Sequence, residues 1–380
     1  MKITFFSNFL NHHQIPFCNE MYNILGDAFR FVATEPIYLE RLNLGYKDAS
    51  KGYKYAVNSY ESEKNREYCL QLGYESDVVI IGSAPEEFVA KRIKHNKLTF
   101  RYSERIFNKG GWQLLSPRLM IRCYQYHTKY RNKNLHMLCA SAYLKEDLKM
   151  VFAYPGKFWK WGYFPEVKIY EVNKLFEKKN KDIIKLLWVG RYLAWKRPEQ
   201  AIEIAKRLKK DGYEFSLDII GSGEQKNLIV SLIKKYHLEN LARLPGTMSP
   251  DKVREYMEEA NIYLFTSNRQ EGWGAVLNEA MNSGCAVVAA QSIGSVPFLI
   301  NNGKNGFIYP DKDMDIMYRH VKLLMENQNL RRKLGEQAYF TMRDVWNPKI
   351  AAKRIIAASE KLLNNEDLCA MYDDGPCSKA

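Results

Sequence analysis

The sequence predicts an α/β protein made of two doubly wound parallel sheets. Three observations carry this reading. From Ile183 to Tyr309 short apolar runs alternate strictly with helix-forming stretches. Such alternation implies parallel strands joined by helical crossovers. The first half repeats the pattern more loosely, with Asp77–Ile81 (DVVII) its clearest strand. Finally, 380 residues, 46% of them hydrophobic, are enough for two cores, and the aromatic, turn-rich stretch Gly156–Pro165 reads as the linker between them.

In chain order, Lys2–Phe6 is a buried first strand. It runs through a loop, Ser7–Pro16, into a helix around Phe17–Leu25. Phe31–Ala33 and Ala56–Asn58 are short strands. Asp77–Ile81 is followed by Ser83, Ala84 and Pro85 opening a helix, and Leu98–Tyr102 by Ser103, Glu104 and Arg105. Ser116 and Pro117 are an N-cap and first helical residue. Leu135–Ser141 is another strand, and Lys168–Tyr170 is expected to begin the edge of the second domain. There the strands are Ile183–Val189, Phe215–Ile220, Ala242–Leu244, Ile262–Phe265, Ala286–Ala289 and Gly306–Tyr309. Asn347 and Pro348 cap a final helix to about Leu363. The tail, Asn364–Ala380, reads as polar and loose. The expected organisation is a first domain over 1–168, a second over 169–346, a helix over 347–364 crossing back to the first domain, and a tail over 365–380.

Composition narrows the class. Seven scattered cysteines without a CxxC pair argue against a disulfide framework and a zinc site, and fit a reducing cytoplasm. The N-terminus has one lysine and no sustained apolar core, so it reads as a strand and not a signal peptide. No stretch approaches the length of a membrane span. Net charge is +14, and residues 91–133 hold twelve Lys or Arg against one acid, Glu104. Such a block points to an anionic partner. Along 115–129, Leu115, Leu119, Cys123 and Tyr126 recur at helical spacing beside Arg118, Arg122 and Lys129. That is the pattern of an interfacial helix on anionic lipid, or of a surface helix packed on its own domain. The block carries no recognised nucleic-acid module. Asp313-Met314-Asp315 resembles a metal-binding D-x-D, but acids after a strand also suit a helix N-terminus, and no metal site is assigned.

Candidate chemistry concentrates in Arg269–Gly284. Glu271 and Glu279 flank Gly272 and Gly274 at a strand–turn–helix junction. Glycines there allow close backbone approach to a ligand, and the carboxylates accept hydrogen bonds from hydroxyls. Upstream, Arg191 and Lys196 on a strand-end loop suit a diphosphate, and Gly221-Ser222-Gly223 forms a further glycine loop. Together they describe a site for a nucleotide sugar. In the first βα loop, His12 or His13 contacts a ligand or merely belongs to a capping loop. Glu104 is a functional carboxylate or an ion-pair partner of Arg105 or another neighbour.

These motifs, Gly190-Arg191 with Trp195-Lys196-Arg197-Pro198-Glu199, Ile220 to Glu224, Leu244-Pro245-Gly246, Glu271 to Gly274 with Glu279-Ala280, and Ile293 to Ser295 with Gly303 to Gly306, resemble those of the retaining glycosyltransferases of family 4 (glycosyl transferases group 1). The resemblance covers about residues 183–310. It implies the B-type glycosyltransferase fold, two Rossmann-like domains facing across a cleft. It also implies a hexosyl transfer from a nucleotide-sugar donor without metal or other cofactor. Arg191 and Lys196 would hold the donor pyrophosphate, Glu271 the sugar, and Glu279 the ribose hydroxyls. Gly190, Gly221, Gly223, Gly246, Gly272, Trp273, Gly274, Ala275 and Val276 would complete the donor pocket. His12, His13 and Glu104 are candidates on the acceptor side. Unlike many relatives, the first loop is not glycine-rich, and Tyr102-Ser103-Glu104-Arg105 stands where many have a histidine.

The expected activity is transfer to a glycan or lipid-linked acceptor in surface polysaccharide or glycolipid assembly. It would take place in the cytoplasm, with possible contact of 91–133 with the inner membrane face. The alternatives are a nucleotide-sugar epimerase of the same fold and a basic nucleic-acid-binding protein.

Overall fold

A computed structural model describes residues 1–38, 52–180, 182–368 and 371–380. The chain divides into unit 1, Met1–Glu166 with Trp346–Ala380, and unit 2, Val167–Val345.

Unit 1 holds strands β1 (Ile3–Ser7), β2 (Phe29–Ala33), β3 (Ala56–Asn58), β4 (Val78–Ile81), β5 (Thr99–Ser103), β6 (Leu135–Cys139) and β7 (Phe158–Lys160). They form one sheet in the order β3-β2-β1-β4-β5-β6-β7, every pair parallel. The central strands are apolar on both faces because helices cover both; β1 and β4 are buried along their whole length. The helix Ile15–Leu25 packs against Pro348–Leu363, whose N-cap Asn347 accepts from the Ile350 amide at 2.8 Å.

Unit 2 holds β8 (Ile184–Val189), β9 (Phe215–Ile220), β10 (Ala242–Gly246), β11 (Ile262–Phe265), β12 (Ala286–Ala290) and β13 (Phe307–Tyr309). Their order is β10-β9-β8-β11-β12-β13, again wholly parallel. The predicted α/β class and the two doubly wound sheets are therefore observed.

Several local expectations are corrected. Gly156–Pro165 is no irregular linker: it contains β7, and Trp159, Trp161 and Phe164 are buried. Aromatic side chains concealed the strand, whose pairing spans only three residues. Lys168–Tyr170 is not a sheet edge. The Lys168 amide donates to Asn282 Oδ1 and that of Tyr170 to the Tyr339 hydroxyl. The end of the tail is not loose either. Lys160 donates its amide to Ser378, Cys377 returns one to Lys160, and Cys377 is buried. Cys369 lies outside the described residues; the other six cysteines are buried and free.

The basic block divides into two kinds of residue. Arg92 is fully buried, and its guanidinium donates to the carbonyls of Gly73, Ser76, Asp77 and Leu98 and to Thr99 Oγ1. Burial pulls its pKa down to about 10, against the pull of Asp77. Arg101 grips Glu86 at 2.6 and 2.7 Å. Arg92 thus serves the interior of unit 1 and not an outside partner. The helix Pro117–Tyr126 begins at Ser116 as expected, with Ser116 Oγ accepting from Leu119. Of the apolar positions at helical spacing, Cys123 is buried and Leu119 and Tyr126 are half-buried, while Leu115 stands out. Asp313 acts as the N-cap of Met314–Glu326, accepting from the Ile316 amide at 2.9 Å, and Asp315 pairs with Arg207. Among the described residues no group of three His, Cys, Asp or Glu could hold a metal ion, and no helix is long and apolar enough to cross a membrane.

Candidate active site

Strand order in unit 2 reverses between β8 and β11. Sheets of this kind bind ligands beyond the carboxyl ends of the strands at that reversal. The loops leaving β8 and β11 there are tied to each other. Lys196, on the short turn Ala194–Lys196, places Nζ 2.5 Å from Glu271 Oε2, and both side chains are nearly buried. Ser267 Oγ donates to the same carboxylate oxygen at 2.8 Å. Thr266 Oγ1 receives the Trp188 indole N–H at 2.8 Å and lies 2.7 and 2.9 Å from the carbonyls of Lys196 and Arg197. The Asn268 amide donates to Trp195 O. A charge-assisted contact this short between nearly buried side chains is among the stronger polar interactions available to a protein.

Gly190 makes room for this arrangement. A Cβ there would lie 3.2 Å from Lys196 Cδ and 3.2 Å from the Trp188 ring. Arg191, next along the loop, is exposed. Tyr192 is buried and fixes the loop from below, its hydroxyl donating to Ile219 O at 2.6 Å and its amide to Ser222 O at 2.7 Å.

Gly221 and Gly223 serve the neighbouring strand end in a way the sequence did not indicate. Both have φ in the left-handed region, at 139° and 146°. A Cβ on Gly221 would sit 1.9 Å from Gly190 O, and one on Gly223 2.7 Å from Tyr192 O. Their closest neighbour is thus the β8 loop. Gly246 joins the cluster by accepting the Gly221 amide at 2.9 Å.

Beyond Glu271 the chain turns through Gly272, Trp273 and Gly274. The Trp273 indole is fully buried and donates to Asn278 Oδ1 at 2.9 Å, so its ring anchors the turn. Gly274 has φ 80°, and a Cβ would strike the Phe265 ring at 2.4 Å. Ala275 is buried, and Val276 starts the helix Val276–Asn282 that carries Glu279. Glu279 keeps part of its surface open while protein surrounds the rest. Burial raises its pKa, opposed by the charge of Arg254. The two glutamates therefore differ: Glu271 has a lysine counter-ion in contact, whereas Arg254 directs its guanidinium to Glu279 O and Asn282 Oδ1.

Unit 1 has its own reversal between β1 and β4, and a polar cavity of about 660 Å³ lies at the carboxyl ends of β1, β4 and β5. Asn11, Gln14, Arg101, Glu104, Tyr126 and Tyr163 are among its lining residues. Glu104 Oε1 accepts from the Tyr163 hydroxyl at 2.6 Å. The expected partner Arg105 pairs instead with Asp147 at 3.3 Å. His13 stacks on the Tyr163 ring with centroids 5.8 Å apart, and His12 lies 3.6 Å from His13. The acceptor-side candidates are thus connected through Tyr163, a residue the sequence assigned to a linker. His127, also in the lining, is held neutral: burial, then Arg101 and Arg122, pull its pKa down to about 3.

Residues missed at the sequence level are Thr266, Ser267 and Tyr163. The Thr-Ser pair directly after the apolar run Ile262–Phe265 was the available signal, since hydroxyls at a strand end in a parallel sheet face the site.

Residues 171–340, nearly all of unit 2, match the family glycosyl transferases group 1. Over that stretch the chain is similar to group 1 glycosyltransferases. It is 31% identical over 193 residues to an uncharacterized glycosyltransferase of Methanocaldococcus jannaschii, covering 50% of this chain and 49% of that protein. It is 28% identical over 171 residues to the amylovoran biosynthesis glycosyltransferase AmsD of Erwinia amylovora, covering 45% and 46%. The chain thus spans about half the length of these curated relatives. Among solved structures it is similar to Anabaena HepE in complex with UDP, with a TM-score of 0.70 and 13% identity over 95% of this chain and 100% of that one. That likeness shows the fold, the two-Rossmann-domain B-type glycosyltransferase fold.

Proposed function

We propose that this protein is a nucleotide-sugar-dependent glycosyltransferase of the retaining, hexosyl-transferring kind, acting without a metal ion. The observation that carries the reading is the Lys196–Glu271 pair at the strand-order reversal of a group 1 domain. Support for a nucleotide donor comes from the UDP bound to HepE, and support for a role in polysaccharide assembly from the relative AmsD.

In this reading Arg191 and Lys196 hold the donor diphosphate and neutralise the charge that grows on it as the sugar departs. Glu279 accepts hydrogen bonds from the ribose hydroxyls, and Glu271 from the sugar. Main-chain amides of Gly272 to Gly274 lie beside them. The acceptor hydroxyl forms its bond to the anomeric carbon on the face from which the phosphate oxygen leaves. Its proton passes to that phosphate, so the products are the glycoside and a nucleoside diphosphate. The acceptor is a glycan or lipid-linked glycan bound on unit 1, with His12, His13 and Glu104 as its candidate contacts. The reading includes cytoplasmic placement and peripheral contact with an anionic membrane through part of 91–133.

The test is a thermal-shift screen of nucleotide sugars followed by product analysis. A donor that binds stabilises the protein by mass action, and the glycoside forms only when an acceptor is added. Interconversion of the nucleotide sugar without acceptor would overturn the transferase reading.

A further inference from the structure

Among the described residues of unit 1 the most exposed large apolar side chains lie in and beside a strongly basic stretch, and the sugar chemistry uses none of them. Trp112 is 63% exposed, Leu115 84%, Ile121 57% and Tyr124 60%. They sit on the turn Gly111–Leu115 and the helix Pro117–Tyr126. Residues 109–133 contain six cations and no acid. Because the helix turns Cys123 inward, its outer face presents Arg118, Ile121, Arg122 and Tyr124 together.

A second element joins this face. Thr128 Oγ1 donates to Val151 O at 2.7 Å, and His127 Nδ1 and the Tyr154 hydroxyl lie 2.7 Å apart. These bonds tie the end of the helix to the loop 149–156, which exposes Met150 and leaves Phe152 70% in solvent. Arg131 and Phe152 line one cavity of about 310 Å³ with Lys149, Pro155, Phe158 and Lys379. Phe152 has φ 56°, a left-handed conformation that is strained for a bulky side chain. The backbone there closes the helix Leu144–Lys149, with the Phe152 and Ala153 amides donating to Lys149 O and Leu148 O, and the phenyl ring is left standing in water.

We infer that this two-element surface docks unit 1 on an anionic phospholipid bilayer. Trp112, Leu115, Ile121 and Phe152 enter the boundary between headgroups and acyl chains, while Arg118, Lys129 and Arg131 lie against lipid phosphates; Lys149 is paired with Glu146 at 2.9 Å. The pattern distinguishes lipid from nucleic acid. Single-stranded nucleic acid takes cations with interleaved aromatics, whereas a bilayer also takes up the exposed aliphatic side chains Leu115 and Ile121. The inference rests on the membrane part of the proposed function and on none of its sugar chemistry.

Sedimentation of the full chain with vesicles, in the absence of donor or acceptor, tests it separately from turnover. Binding is expected to phosphatidylcholine vesicles containing phosphatidylglycerol and not to phosphatidylcholine alone, and it should fall with added salt. Replacing Arg118 and Lys129 together by alanine should weaken partition by roughly 30-fold. Leu115→Ser should weaken it by about fivefold or more. Phe152→Gly should weaken it severalfold while the melting temperature holds or rises, since glycine accepts the left-handed turn. Absence of binding to anionic vesicles at low salt overturns the inference. So does unchanged binding of both Leu115→Ser and Phe152→Gly, which would mean attraction by charge alone, with a single-stranded polynucleotide as an equal competitor. If Phe152→Gly loses melting temperature, Leu115→Ser decides, because a side chain so exposed has no folding role.

Discussion

Lys196 and Glu271, 75 positions apart in sequence, meet at 2.5 Å in a nearly buried ion pair. Glu271 is thus the counter-ion of the cation assigned to the leaving group. A donor diphosphate would take over that role and free the carboxylate for sugar hydroxyls. Truncating one partner leaves the other charge buried. Lys196→Ala should therefore destabilise unit 2 by about 3 kcal/mol in urea denaturation and lower kcat more than it weakens donor affinity. Lys196→Met combined with Glu271→Gln should recover most of the stability and none of the turnover. A double mutant no more stable than Lys196→Ala would show that the pair is not coupled.

Glu279 gives a pH signature. Its folded-state pKa lies above the ordinary carboxylate value because of burial. As pH falls through that raised value the carboxylate is lost, and with it the acceptor proposed above for ribose hydroxyls. Nucleotide affinity, followed by calorimetry, should fall in mildly acidic solution in the wild type, and Glu279→Gln should flatten that dependence. For stability the sign is opposite: a raised acid pKa favours the fold at low pH, and this contribution fades as pH rises through the raised value. Glu279→Ala should weaken nucleotide binding by roughly 1.5–3 kcal/mol.

The glycines separate into tightly packed and open positions. Gly221→Ala forces a methyl to 1.9 Å from a carbonyl oxygen of the β8 loop and should cost at least about 3 kcal/mol, with loss of donor binding. Gly246→Ala has only its φ of 85° against it, with nothing within 4 Å, and should cost about 1 kcal/mol. Equal thermal shifts for the two variants would contradict the packing described for Gly221.

Two histidines set an acid limit. His127 and His136 both have pKa values pulled down to about 3 by burial, helped by Arg101 and Arg122 for the first and by Lys157 for the second. The unfolded chain takes up these protons near pH 6.5 while the folded chain does not. Stability is therefore complete above that pH and falls below it, by about 1.4 kcal/mol per pH unit for each histidine. His136→Gln should remove about half of that slope in denaturant titrations between pH 6 and pH 4.

The parallel sheets were legible because buried strands in such sheets are continuous apolar runs, as in Val78–Ile81 and Ile262–Phe265. The loop residues of unit 2 were legible as motifs. Their contacts were not, since Lys196 and Glu271 come together only when β8 pairs with β11. The strand Phe158–Lys160 was concealed by a local sequence, Lys157 to Tyr163, whose aromatics and turn residues have no period. Arg92 shows the opposite failure. In sequence it is one of twelve cations in a basic block, and only the fold reveals that it bridges five acceptors inside unit 1. Charge counted along a chain does not separate an arginine that serves a partner from one that serves the backbone.

Unit 1 is discontinuous, its last helix and tail lying beyond the whole of unit 2. That order has a kinetic consequence. Unit 2 is a single uninterrupted segment, complete as soon as Val345 is synthesised. Unit 1 waits with the surface of Ile15–Leu25 uncovered until Pro348–Leu363 emerges. During synthesis the first-made strands are thus the last to be sealed. A nascent chain arrested just before residue 346 should present a protease-resistant second unit beside a first unit that is still readily cut.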